Sequence, residues 1–268
     1  MIELEHICKR VVEICEETAN FISTEIIKIS DKAVETKSLN SLVTYVDKTA
    51  EKMLVENLGA LIPEAGFHTE EETAGHTTEN YIWIIDPLDG TTNFIHGIYP
   101  HAISIALQYC NETVLGVVYE LGQKECFYSW KGGKVYLNKK EVTVSKRTYL
   151  KEALLATGFP YYNYSLLEPF LNSLKFFMQN TRGVRRLGSA ATDLAYVACG
   201  RFDCFYEYSL QAWDVAAGAF LVQQAGGRIA DFSLENNYLY GGQIIASNAE
   251  IYEEFSSAIK LFFETKGK

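Results

Sequence analysis

Three acidic stretches contain residue types able to do chemistry: Glu70-Glu71-Glu72, Asp86-Pro87-Leu88-Asp89-Gly90-Thr91 and Trp213-Asp214. In the second, the apolar run Tyr81-Ile82-Trp83-Ile84-Ile85 ends directly in an Asp, and another Asp follows three residues later. Pro87 fixes its own φ and removes a donor, and Gly90 permits a tight bend. Such a turn can aim the carboxylates of Asp86 and Asp89 and the Leu88 carbonyl into one small space. Hard oxygen ligands of this kind suit magnesium. An Asp-rich surface turn has the same composition, but attachment to a buried apolar strand favours the metal. Taken alone, the triple acid also reads as a solvated face or a helix N-terminus, and Asp214 as an N-cap.

The elements that must position these acids follow from periodicity. Residues 2–29 repeat Ile7, Val11 and Ile14 at helical spacing, and a second helix is predicted from Asp47 to Leu61. Between them, 36–44 reads as a polar turn leading into a short extended segment. Tyr81–Ile85 is a strand apolar on both faces, predicted to stop at Asp86-Pro87. Strands at Ala102–Tyr109, Val114–Tyr119, Glu125–Trp130 and Lys134–Leu137 form an antiparallel meander. The second half alternates helices at 165–178, 190–198, 215–224 and 250–263 with short strands at 154–157, 202–206, 228–231 and 244–246. Without a linker or repeat, the 268 residues read as a single domain. Its first half (about 1–150) carries most of the acids, and its second (151–268) is an α/β unit carrying Asp214. The class is α+β, in layers.

Composition narrows the partners. Lys and Arg number 24 against 34 Asp and Glu, a formal net charge of −10. That argues against DNA or RNA as the main ligand, though bound divalent ions can reverse the local field for a phosphate. The six cysteines show no Cys-x-x-Cys pair and read as buried thiols of a reducing compartment. No apolar run approaches the ~20 residues of a membrane span, and acid stands near the N-terminus where a signal peptide needs base. A cytoplasmic location is expected.

The acidic stretches, in order and combined with Gly226-Gly227, resemble the inositol monophosphatase family. That family carries a Glu-Glu pair, then Asp-Pro-Ile/Leu-Asp-Gly-Thr, then Trp-Asp, then Gly-Gly. The flanking Trp83-Ile84-Ile85, Thr91-Thr92-Asn93-Phe94-Ile95-His96 and Arg186-Leu187-Gly188-Ser189-Ala190-Ala191 are also similar to it. The resemblance implies a layered αβαβα sandwich, the sugar-phosphatase fold shared with fructose-1,6-bisphosphatase. It further implies a lithium-sensitive phosphomonoesterase holding two or three Mg²⁺ ions, a homodimer, and a small phosphorylated polyol or sugar as substrate.

Carried over by residue, the resemblance implies that Glu70 and the Leu88 carbonyl ligate a first metal. Asp86 bridges, and Asp89 and Asp214 hold a second. Glu71 is the secondary candidate of the triple acid, and Glu72 faces solvent. Four carboxylates against two Mg²⁺ ions make a neutral site able to admit a phosphate dianion. Attack would be by water, in line and without a phosphoenzyme, with Glu70 and the Thr91 hydroxyl positioning the water and Asp47 orienting Thr91. Thr91 and Asp47 also fit a turn hydroxyl and a helix cap. Gly90, Thr91, Gly188 and Ser189 would offer backbone N–H groups to the phosphate, the last pair before a helix. Asp89, Asp214, Ala190 and Glu207 would face the alcohol, Glu207 receiving hydroxyls.

Two departures bear on the alcohol. Phe159-Pro160 follows Thr157-Gly158 where vertebrate members have a Ser, and Ser41 stands where the family's Lys-x-x-x-Asp-Leu-Val-Thr pattern has Asp. Inositol 1-phosphate is the first expectation. 3′-Phosphoadenosine 5′-phosphate, fructose 1,6-bisphosphate and histidinol phosphate are the alternatives, and a non-catalytic role in a regulatory assembly is the reading of another class.

Overall fold

The computed structural model describes residues 2–30, 36–74, 80–161 and 163–263, the backbone alone over 26–30 and 36–44. The side chains of the 37–44 pattern, Ser41 included, lie outside the described residues. Helices α1 (Leu4–Ser30) and α2 (Thr36–Leu61) pack along each other and on one face of a seven-stranded sheet. Its strands run in chain order: β1 (Gly66–Thr69), β2 (Tyr81–Asp89), β3 (Ala102–Tyr109), β4 (Glu112–Glu120), β5 (Glu125–Trp130), β6 (Val135–Leu137) and β7 (Lys140–Val142). Only the β1–β2 pairing is parallel.

The apolar run of β2 is explained by what covers it. Trp83 and Ile85 face the α1–α2 layer, while Ile84 points the other way with Ala102, Ala106 and Val118. Onto that second face pack α5 (Ala190–Ala198) and α6 (Ala212–Gln224), both rich in alanine. Beyond them lies a five-stranded sheet of order β11-β12-β10-β8-β9. It comprises β8 (Leu154–Thr157), β9 (Gly183–Arg185), β10 (Cys204–Tyr208), β11 (Gly227–Ala230) and β12 (Gln243–Asn248). Helices α4 (Leu167–Asn180) and α7 (Tyr252–Phe263) close the outer face over Phe170, Phe177, Tyr206 and Phe255. The layers therefore run αβαβα, as the resemblance implies. No helix among the described residues is long and apolar enough to cross a membrane, and all six cysteines are free.

Several expectations need correction. Residues 36–44 are helical, so α2 begins about three turns before the sequence suggests. Asp47 consequently sits inside the helix and caps nothing. Strand β2 continues through Pro87 to Asp89 instead of stopping. Asp86 pairs with Ser104 and Asp89 with Ala102, so one extra residue is bulged into β2. That bulge accommodates a proline with no ladder donor. The short helix α3 (Thr91–Ile95) and strands β7 and β9 are not legible in the periodicity.

The middle helices approach the first sheet closely. A Cβ on Gly116 of β4 would lie 2.9 Å from the Ala217 carbonyl oxygen of α6. A backbone neighbour cannot swing away, so Gly116→Ala should destabilise the protein by about 1–3 kcal/mol. A urea midpoint unchanged from wild type would show that the layers separate more easily than this packing implies.

Candidate active site

The bulge in β2 does the first positioning. Asp86 and Asp89, three residues apart, turn their carboxylates toward Asp214 in the first turn of α6. One oxygen from each of the three lies within 4.8 Å of the others. The two halves of the chain are tied here: Ser104, the cross-strand partner of Asp86, donates from Oγ to the Trp213 carbonyl at 3.0 Å. Asp214 accepts from the Gln211 N–H at 2.7 Å, so it is held within the first turn and is not the residue that precedes the helix. Asp89 is gripped by the start of α5. Its Oδ2 accepts from Ser189 Oγ at 2.7 Å and from the Ala191 N–H at 2.8 Å. Gly90 has φ +90, and a Cβ there would stand 3.1 Å from the carbonyl oxygens of Gly188 and Pro100. Only glycine suits that corner.

Glu70 follows β1 and stands beside this group, its carboxyl within hydrogen-bonding reach of that of Asp86. Glu71 is half-buried, 4.0 Å from Lys48, and Glu72 is exposed, as expected. The Leu88 carbonyl accepts from Thr91 Oγ1 at 3.1 Å. This corrects one expectation: the Thr91 hydroxyl is oriented by Leu88 and not by Asp47, whose buried Oδ1 has no hydrogen-bond partner.

Burial pushes Asp47, Glu70, Asp86, Asp89 and Asp214 up, and neighbouring acids add to the rise for all but Asp89. Burial is the largest cause throughout. Asp47 rises to about 8, with Glu70, Glu71 and Glu51 adding repulsion. Glu70 rises to about 7, although it keeps an open side toward the cleft and its bond to Asp86 opposes the rise. Asp89 rises to about 6, restrained by the donors from Ser189, Ala191 and Gly90. Asp86 and Asp214 are raised well above the carboxylate range. Such a cluster is stable when protonated or when cations lie among its oxygens. Its donor set, all hard oxygen, fits a magnesium-like ion.

The cleft above has a volume of about 540 Å³ and is lined by Glu70, Asp89, Gly90, Thr91, Gly188, Ser189, Ala190, Glu207 and Asp214, among others. All of the expected substrate-side residues therefore converge on one space. The Ser189 hydroxyl is buried and already used on Asp89 and Thr192, leaving only its backbone for a ligand. Glu207 lies within β10, not at a surface strand end, and burial raises it strongly. Its carboxylate rests against Gly158, where a Cβ would fall 1.9–2.2 Å from it.

Sequence reasoning missed several residues. Arg186 is a cation lining the cleft, stacked over Phe159 and Tyr161 with centroids 5.5 and 5.4 Å away. Phe159 and Tyr161 share that wall, at the departure already noted. Asp193 is fully buried in α5 with both oxygens unpartnered, and Glu207 and Asp89 repel it. Its position in an alanine-rich helix was the available signal. Glu51 on α2, one turn after Asp47, is a buried acid that reads in sequence like any solvated helix charge.

The family model described as "Inositol monophosphatase family" matches residues 3–261. A Pseudomonas aeruginosa protein named Nus factor SuhB is 40% identical over 234 residues, covering 85% of this chain and 86% of its own. A Mesorhizobium japonicum inositol-1-monophosphatase is 36% identical over 251 residues, covering 93% and 94%. Among solved structures, Mycobacterium tuberculosis SuhB superposes with a TM-score of 0.83 at 30% identity, over 98% of this chain and 99% of that one. The inositol monophosphatase of Anabaena (Nostoc) sp. gives 0.82 at 29% identity, over 97% of each. With its layers, its acidic cleft and a match over nearly its whole length, the chain belongs to the inositol monophosphatase family.

Proposed function

We propose that the protein is a magnesium-dependent phosphomonoesterase acting on a small phosphorylated polyol, with inositol 1-phosphate the first candidate. The observation that carries this reading is the convergence of Asp86, Asp89 and Asp214 at the floor of a cleft large enough for such a substrate. Glu70, Asp86, the Leu88 carbonyl, Asp89 and Asp214 would hold two or three Mg²⁺ ions. When bound, Mg²⁺ supplies Lewis-acid polarisation of the phosphoryl group and acidifies water.

The chain's own groups do the rest. Glu70, standing beside Asp86 at the open side of the cleft, can position an attacking water. The Thr91 hydroxyl helps to orient that water. Backbone N–H groups of Gly90, Thr91, Gly188 and Ser189 face the phosphate, while Ala190 and Glu207 hold the alcohol's hydroxyls. The two halves act as one unit in this reading, because Asp214 joins ligands from the first half. Lithium competition for the weaker metal position and a homodimer belong to the same proposal.

A panel of inositol 1-phosphate, fructose 1,6-bisphosphate, histidinol phosphate and 3′-phosphoadenosine 5′-phosphate, scored by kcat/KM with Mg²⁺, tests the substrate. More than tenfold preference for the nucleotide would overturn the choice. Asp89→Asn should lower kcat by at least ~10²-fold with the fold retained; full activity would sink the assignment. The relatives named Nus factor SuhB favour a second reading, a partner role in a regulatory assembly. Rescue of a deletion phenotype by the inactive variant would support it.

Gly158→Ala pushes against the Glu207 carboxylate. It should raise KM for a polyol phosphate several-fold, while the Mg²⁺ requirement stays within about twofold. An unchanged KM would remove Glu207 from the substrate site.

The raised acids also make a pH prediction. Unfolded, these groups titrate near 4; folded, Asp89, Glu70 and Asp47 titrate near 6, 7 and 8. Their contribution to stability is full below about pH 4 and is lost as pH rises through 6–8. In chelator, Tm should therefore fall between pH 5.5 and 8.5, and Mg²⁺ should raise it more at pH 8.5. An equal Mg²⁺ increment at both values would contradict this.

A further inference from the structure

One buried acid beside the cleft has no part in the chemistry proposed above. Glu51 is fully buried on α2 and does not line the cleft. Its Oε1 accepts from Thr69 Oγ1 at 2.9 Å, from the Thr73 N–H at 2.8 Å and from Thr73 Oγ1 at 2.7 Å. Its Oε2 accepts from the Glu71 N–H at 2.8 Å. Every one of these donors belongs to the stretch 69–73, which carries Glu70 and Glu71. A carboxylate accepting four bonds from one short stretch holds the backbone there in a single shape.

That stretch needs holding. Thr69 is the last residue of β1, paired with Ile85, and the chain leaves the sheet at Glu70. Glu72 has φ +53, a left-handed conformation that costs free energy for a residue with a side chain. Glu70 is also repelled by Asp89 and Glu71, and the Glu51 charge itself repels both Glu70 and Glu71, so the four hydrogen bonds must outweigh that repulsion to hold the stretch. Lys48, 4.0 Å from Glu71 and half exposed, is a weak restraint by comparison.

We propose that Glu51 is a positioning residue, a clasp that fixes the stretch 69–73 so that the Glu70 carboxylate stands beside Asp86. The proposal rests on the phosphatase reading. Outer partners of metal ligands commonly change metal affinity or activity by about 10–100-fold when removed, and Glu51 acts one step further back, through the backbone.

The test compares wild type with Glu51→Gln, Thr73→Val and Thr73→Ser. Glutamine keeps the shape but must turn its NH₂ toward the N–H of Glu71 or of Thr73, neither of which can accept. Thr73→Val removes one of the four bonds and spares the rest. Mn²⁺ binding followed by electron paramagnetic resonance, without substrate, should weaken by about 10–100-fold in Glu51→Gln. In Thr73→Val it should weaken by about 2- to 10-fold, and Thr73→Ser should bind as wild type does. The Mg²⁺ concentration for half-maximal hydrolysis should rise in parallel, with KM for the phosphate ester at saturating Mg²⁺ within about twofold. Amide exchange at 70–74 should accelerate in the weakened variants. Should Glu51→Gln fail to fold, Thr73→Val against Thr73→Ser decides. Wild-type metal affinity in folded variants whose 70–74 amides exchange faster would overturn the clasp and leave the phosphatase reading intact. A wild-type protein that binds no Mn²⁺ would sink both.

Discussion

Asp86, Asp89 and Asp214 bring carboxylate oxygens within 4.8 Å of one another where water is largely excluded, and the rest of the site is arranged around that crowding. Like charges at such separations repel strongly in a low-dielectric interior. Each acid is therefore individually restrained: Asp89 by the start of α5, Asp214 by the Gln211 N–H, Asp86 by the Leu88 N–H at 2.9 Å. None of these restraints is a salt bridge among the described residues. Such a cluster is at ease only when protonated or when cations from solution lie among its oxygens.

The restraints come from far apart in the chain, and this explains the layered architecture. A bulged strand presents two acids, a helix pressed between two sheets presents the third, and the Ser104–Trp213 contact fixes their spacing. The Asn93 side chain adds a second tie, donating to the carbonyls of Pro100 and Leu187 and so holding the turn before Gly188 against α3. The turn at Gly188 and the acidic cluster at the floor of the cleft thus share supports.

Much of this was legible in the sequence because it rests on period and motif. The buried run of β2 reads correctly because α-helical layers cover both its faces, and α5 is predicted residue for residue at Ala190–Ala198. The start of α2 was not, since its Ser, Asn and Thr read as a polar turn. Residue identity also misleads where burial reverses its meaning. Glu51 and Asp193 look like solvated helix charges, yet both are buried. The Thr91 hydroxyl turns to a carbonyl three residues back, a local choice that no spacing rule reveals.

The helices beneath the cleft are built largely from small side chains, with Ala191, Ala195, Ala198, Ala216 and Ala217 all buried. Two sheets and two helices meet there closely enough that a Cβ on Gly116 would lie 2.9 Å from the Ala217 carbonyl oxygen and one on Gly218 2.5 Å from the Leu194 Cβ. The rim is different: Phe159 is 46% exposed and Tyr161 52%, and both flank Arg186. Substitutions at those rim positions would reshape the mouth of the cleft without disturbing the acids at its floor.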